Sequence, residues 1–188
     1  MSNTQFIKSC NFHSIPRQAK RLDERHTSES MEVERCGMTI IVDTGVFQTD
    51  GDSELMAESV RIEKDESFLE VGCGSGIVSL VVAQKAASGI GVDINERAVE
   101  CSKRNAQAHN ITNVEFLRSD VFENVTGVFD VIICNPPYTS HEVRDDIDRM
   151  FWDPENEMKR KFFSDVGKHL KHGGRIYFGW ANFADIDV

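Results

Sequence analysis

The chain has 188 residues, 40% of them hydrophobic and 28% charged, with a formal net charge of −10. This is enough for one α/β domain with a real core and too little for two. No apolar run reaches the roughly 18 residues of a membrane span and the N-terminus lacks the apolar stretch of a secretory signal, so a cytoplasmic protein without membrane contact is expected. The acidic balance weighs against holding nucleic acid mainly through phosphate neutralisation. The first 25 residues run the other way, with Lys8, Arg17, Lys20, Arg21 and Arg25 against Asp23 and Glu24.

Residues 1–37 are polar and weakly patterned, an N-terminal arm or cap with a short helix around Arg17–Arg25. Patterning sharpens from Met38, where residues 38–188 read as the main domain. MTIIV (38–42) is a strand, Asp43-Thr44-Gly45 a turn, and Val46-Phe47 the return strand of an N-terminal β-hairpin. Asp52 or Ser53 caps a short helix that runs to Val60. Strands and helices then alternate: SFLEV (67–71), a helix over 77–86, GIGVDI (89–94), an amphipathic helix over 95–109 capped by Asn95, VEFLR (114–118) and the wholly apolar FDVIIC (129–134). Asp153-Pro154 opens a helix with Met158, Phe162, Val166 and Leu170 on its core face. Gly173-Gly174 ends it before the strand RIYFGW (175–180). This order predicts a doubly wound sheet with parallel central strands and a ligand at their C-terminal ends.

The five cysteines are odd in number and have no CxxC spacing, which fits a reducing compartment and neither a disulfide framework nor a zinc site; no metal is expected. Cys73, Cys101 and Cys134 stand in apolar or small-residue surroundings and read as buried packing.

The residues after each strand carry the chemistry. Gly72, Gly74 and Gly76 follow the first core strand and let the backbone turn tightly and approach a ligand. Their spacing departs from GxGxxG, which disfavours a pyrophosphate site. Asp93 ends the next strand, where a carboxylate can accept two hydrogen bonds from a ribose diol, and Asp120 follows the third, within reach of an adenine amino group. Together the three strand ends suit an adenosine-type ligand. Asn135-Pro136-Pro137-Tyr138 follows the apolar fourth strand. The prolines fix φ, and the Asn135 side chain and Pro136 carbonyl form a rigid pair of acceptors suited to a planar NH2 group, with the Tyr138 ring beside them to stack on it.

EVGCGSG, GVDI, SDVF and NPPY, in this order and spacing over about residues 38–180, resemble class I S-adenosylmethionine-dependent methyltransferases of the amino-methylating NPPY kind. GVFQTDGDSELMAE (45–58) is similar to the loop that lines the cofactor and acceptor pocket in HemK-like protein-glutamine N5-methyltransferases, although Gln48-Thr49-Asp50-Gly51 stands where that family has a Pro-Arg-Pro segment. The resemblance implies a Rossmann-like fold and S-adenosylmethionine as cofactor. Glu70, Gly72, Cys73, Gly74, Gly76, Asp93, Ile94, Asp120, Val121 and Asn135 would hold the cofactor, with Ile94 and Phe122 sandwiching its base. Phe47, Asn135, Pro136, Pro137 and Tyr138 would hold the acceptor, and Asn135, Pro136 and Tyr138 would be catalytic. The implied partner is a protein such as a release factor. The C-terminal helix and antiparallel strand pair of the usual fold are missing from the pattern, so the chain reads as truncated, with an open fifth-strand edge that favours a homodimer. The rival readings are an RNA or DNA base amino-methyltransferase, a nicotinamide-dependent oxidoreductase, which neither the glycine spacing nor NPPY suits, and a non-catalytic cofactor-binding module.

Overall fold

The computed structural model describes residues 4–9, 15–181 and 184. In chain order the elements are β1 (Thr4–Ser9), α1 (Ile15–Thr27), β2 (Met31–Arg35), β3 (Met38–Val42), α2 (Gly51–Ser59), β4 (Ser67–Val71), α3 (Ile77–Ala83), β5 (Ser88–Asp93), α4 (Glu96–Ala108), β6 (Val114–Arg118), β7 (Phe129–Cys134), α5 (Glu157–His169) and β8 (Leu170–Ala181). Six strands form one sheet in the order β1-β8-β7-β4-β5-β6, and every neighbouring pair is parallel. A separate antiparallel hairpin joins β2 to β3.

The apolar runs in β4 and β7 are buried because both sheet faces are covered. Successive side chains alternate between those faces. Phe68, Val131 and Ile133 point into a core shared with α2, α3, α4 and β3. Leu69, Val71, Ile132 and Cys134 point into a second core closed by Phe162 and Val166 of α5. Met158 and Leu170 complete that stripe as partly buried neighbours. Cys73, Cys101 and Cys134 are all buried, as their surroundings foretold, whereas Cys10 lies outside the described residues.

Three expectations are corrected. Met38–Val42 is a strand, but its partner is upstream: Met31 pairs with Val42 and Arg35 with Met38. Cys36 (φ 49°) and Gly37 (φ 72°) make the two-residue left-handed turn between them, the backbone shape whose twist matches an antiparallel pair. Asp43–Val46 does turn, with Val46 N donating to Asp43 O at 3.1 Å. Val46-Phe47 is not a strand, and the Val46 carbonyl accepts from Arg25 Nε at 3.0 Å instead.

The second correction concerns helix starts and ends. Asp50, two residues before the expected Asp52, caps α2 by accepting from Asp52 N at 3.2 Å. Pro154 opens a 3-10 turn rather than α5, and the Asp153 carboxylate reaches over it to accept from Met158 N (2.8 Å) and Lys159 N (3.1 Å). Gly173-Gly174 does not end the helix; α5 stops at His169 and β8 runs through both glycines.

The third concerns the edge of β8. Its C-terminal half is paired by β1, from Thr4 opposite Ile176 to Ser9 opposite Ala181. The open-edge reason for a homodimer is therefore gone. Among the described residues no antiparallel strand lies beside β8, and no helix is long and apolar enough to cross a membrane.

Candidate active site

The C-terminal ends of β4, β5, β6 and β7 open into one cleft of about 1340 Å³, its mouth included. Every residue picked out above for cofactor or acceptor lines it, with the exceptions of Gly76 and Phe122. Gly76 begins α3, where a Cβ would meet Ser102 Cβ at 3.0 Å; it serves close packing of loop on helix. Phe122 is buried in the second core, stacked on His169 (4.7 Å between centroids) and tilted against Phe162. It is out of reach of a base in the cleft.

The glycine-rich loop is braced from three sides. Gly74 N donates to Asp93 Oδ2 at 2.9 Å, Ser102 Oγ donates to the Gly74 carbonyl at 3.0 Å, and Asn105 Nδ2 donates to the Ser75 carbonyl at 2.9 Å. Asn105 is fully buried and also bonds both polar groups of Ile41 in β3, so α4 ties hairpin to loop. Gly72 (φ 80°) and Gly74 (φ 56°) take left-handed conformations, and a Cβ on either would meet nothing within 4 Å. The loop thus presents bare backbone to open space, which a ligand can approach without meeting a side chain. Asp93 accepts from Gly74 N and from Asn95 N (2.9 Å), with the Ile94 backbone also bonding it, and the remainder of its lone-pair capacity faces the cleft it lines. Asp120 is held by Lys161 at 2.5 Å. Val121 beside it has φ 53°, rare for a β-branched residue and the kind of local strain that collects at binding sites.

Glu70 lies at the floor of the cleft, 2% exposed, accepting from Ser79 N at 2.8 Å and from Ser79 Oγ. Burial pushes its carboxyl up to about 8 from an ordinary 4.5; the Ser79 hydrogen bonds pull the other way and the Asp93 charge adds to the rise. A carboxyl with a raised folded pKa stabilises the fold while it keeps its proton. That contribution is whole below about 4.5 and is lost as pH rises through about 8. Urea unfolding of wild type and Glu70→Gln across this range should show the wild type losing stability relative to the variant between those pH values. A pH-independent difference would place the Glu70 pKa near its ordinary value.

The elbow after β7 is rigid. Tyr138 Oη donates to Asn135 Oδ1 at 2.9 Å and lies 3.5 Å from Asp52 Oδ2. Its ring is 8% exposed and packs with Ala181 and Ala184. Tyr138 therefore braces the asparagine, and a stacking role for its ring is limited to the edge that reaches the cleft. Burial and the neighbouring Asp52 raise the phenol pKa strongly, so it stays protonated. Lys159 Nζ, from α5, donates to the Pro137 carbonyl at 3.0 Å and pairs with Asp153 Oδ2 at 3.0 Å.

Gly179 in β8 was not marked by the motifs. A Cβ there would stand 2.3 Å from Asn135 Oδ1; the strand is hollowed where the asparagine lies. The available signal was a glycine inside an otherwise apolar strand, which often marks close approach. Gly179→Ala is expected to displace the Asn135 amide and lower turnover by about 10²-fold, as small misplacements of reacting groups do, with the thermal midpoint little changed. Steady-state rates beside a melting curve test this; unaltered turnover would show that the amide needs no such room.

Phe47 lines the cleft edge-on to Phe151 at 5.3 Å, with the Arg21 guanidinium over both rings. His26 meets Asp148 at 2.7 Å near Asp145. Arg144 donates three hydrogen bonds to the same Asp148 carboxylate, so this cluster is a cross-link between α1 and the loop before α5.

The sequence model of the methyltransferase small domain matches residues 37–187. The chain belongs to the methyltransferase small domain family. S-adenosylmethionine is its methyl donor. A Methanocaldococcus jannaschii protein provisionally named protein N5-glutamine methyltransferase is 36% identical over 153 residues, covering 78% of this chain and 77% of that one. The release factor glutamine methyltransferase of Fusobacterium nucleatum is 31% identical over 147 residues, 74% of this chain and 41% of that protein. A T. thermophilus 16S rRNA N2 methyltransferase, solved with AdoMet and guanosine, superposes with a TM-score of 0.63 at 22% identity, covering 80% of this chain and 41% of that one; this likeness shows the fold. The small-domain chain thus spans about two fifths of two of these three proteins.

Proposed function

We propose that this methyltransferase modifies the side-chain amide nitrogen of a glutamine in a protein. The observation that carries the reading is the braced acceptor at Asn135 Oδ1, held by Tyr138, opening into the same cleft as the bare glycine loop. When bound, S-adenosylmethionine supplies an electrophilic methyl carbon on a sulfonium. The backbone of Gly72–Gly74 holds the donor's methionine end, Asp93 its ribose and the Ser119–Val121 turn its adenine. Asn135 Oδ1 and the Pro136 carbonyl accept the two amide protons. An amide lone pair is delocalised and weakly nucleophilic, so fixing its direction and offsetting the positive charge that develops on nitrogen are the contributions required of the elbow. The surplus proton leaves to water through the cleft mouth.

The names of the Methanocaldococcus and Fusobacterium relatives support a glutamine acceptor, as does the net charge of −10. Incubation with methyl-labelled donor and either a glutamine-containing release-factor peptide or ribosomal RNA tests it. Label on the peptide's glutamine is the expected result. Label in the RNA and not the peptide would assign the acceptor to a nucleobase amine.

A further inference from the structure

The first turns of α1 hold a polar group without a partner. Gln18 is 4% exposed and lines the cleft, yet its Oε1 is buried and accepts no hydrogen bond. Buried acceptors are almost always satisfied, and an orphan marks a position that a ligand can complete.

Its surroundings say which part of the cleft it serves. Leu22, one turn on and on the same helix face, packs with Phe151 and Trp152. Trp152 is bridged to Thr139, the residue after the elbow. Arg21 holds Asp50 through two hydrogen bonds of 3.1 Å, and Asp52, in the first turn of α2, approaches the Tyr138 hydroxyl that braces Asn135. Toward the C-terminal end of α1, Arg25 bonds the carbonyls of Val46 and Asp43, its own carbonyl accepts from Gly45 N, and His26 meets Asp148 of the loop before α5. Gln18 and Arg21 of α1 thus line the cleft together with Phe151 and Trp152, whose neighbour Thr139 follows the elbow.

We propose that Gln18 is an acceptor-binding residue: its Oε1 accepts a hydrogen bond from an N–H of the glutamine-bearing peptide seated on the elbow. The N-terminal arm is then part of the substrate site, and α1 forms its roof. This rests on the glutamine reading above and deepens it.

The test is Gln18→Leu, which keeps the side-chain volume and removes both polar groups, assayed with the same glutamine-containing peptide. The peptide KM should rise about tenfold, the loss of one hydrogen bond, with kcat and the affinity for S-adenosylhomocysteine little altered. The thermal midpoint of the free protein should hold or rise, because a buried unpaired oxygen is removed. A purely structural glutamine would give the opposite pair of results, a lowered midpoint with an unchanged KM. Where the wild type methylates the peptide, an unchanged peptide KM in Gln18→Leu overturns the proposal and leaves the glutamine reading standing, as does an equal loss of cofactor affinity. No transfer to the peptide by the wild type overturns both. Should Gln18→Leu not fold, Gln18→Met, with its unbranched stem, gives the same readings; failure of both to fold makes the residue structural and ends the proposal.

Discussion

Asn135→Ala should lower turnover of the glutamine peptide by about 10²–10³-fold, the usual consequence of deleting one preorganised polar group from a reacting centre. The size follows from what the oxygen does. In the proposed reaction it meets the nitrogen's proton where positive charge grows, within a cleft that screens charge less than water does. Truncation also takes from the Tyr138 hydroxyl its acceptor at 2.9 Å. Cofactor affinity should change little, since the glycine loop and Asp93 are braced by α4 and by each other, independently of the elbow. Single-turnover rates together with calorimetry of S-adenosylhomocysteine binding separate the two effects. Full activity of the variant would remove Asn135 from the chemistry; an equal fall in cofactor affinity would recast it as a cofactor ligand.

Much of this site was legible before any coordinates, because strand ends in a parallel sheet are fixed by short-range signals. FDVIIC and VEFLR read correctly to the residue, and the glycines, Asp93 and Asn135 follow from where strands stop. What the sequence hid are contacts between segments far apart in the chain. Asn105 reads as one more polar residue on an amphipathic helix, and only the fold shows it pinning Ile41 and Ser75. Gln18 sits in a weakly patterned arm whose helical face has meaning only once Phe151 and Trp152 lie against it. The hairpin was placed on the wrong side of β3 because Asp43-Thr44-Gly45 is a strong turn signal, whereas Cys36-Gly37 is a modest one that won by joining two segments of matched length. The edge strand β1 lies well over 150 residues from β8 in sequence, a pairing that no local pattern foretells.

Lys159→Met is expected to cost about 3–5 kcal/mol of stability, the usual result of removing one member of a buried ion pair. Lys159 and Asp153 have side-chain exposures of 1% and 0%, and their 3.0 Å contact is sealed from solvent. Removal of the ammonium leaves a bare carboxylate in that seal and takes the donor from the Pro137 carbonyl. For a domain of this size the thermal midpoint should fall by roughly 10 °C. Adding Asp153→Asn should restore part of the loss, because an asparagine carries no charge and its single oxygen still accepts from one of the two α5 N–H groups that the carboxylate oxygens satisfied. Denaturant unfolding of both single variants and the double variant measures the coupling. The pair joins the elbow to the helix that covers the second core, so a strained elbow and a loosened α5 are the same event. A Lys159→Met midpoint close to that of the wild type would mean that water reaches Asp153, and that the elbow's stiffness comes from its prolines and Tyr138 alone.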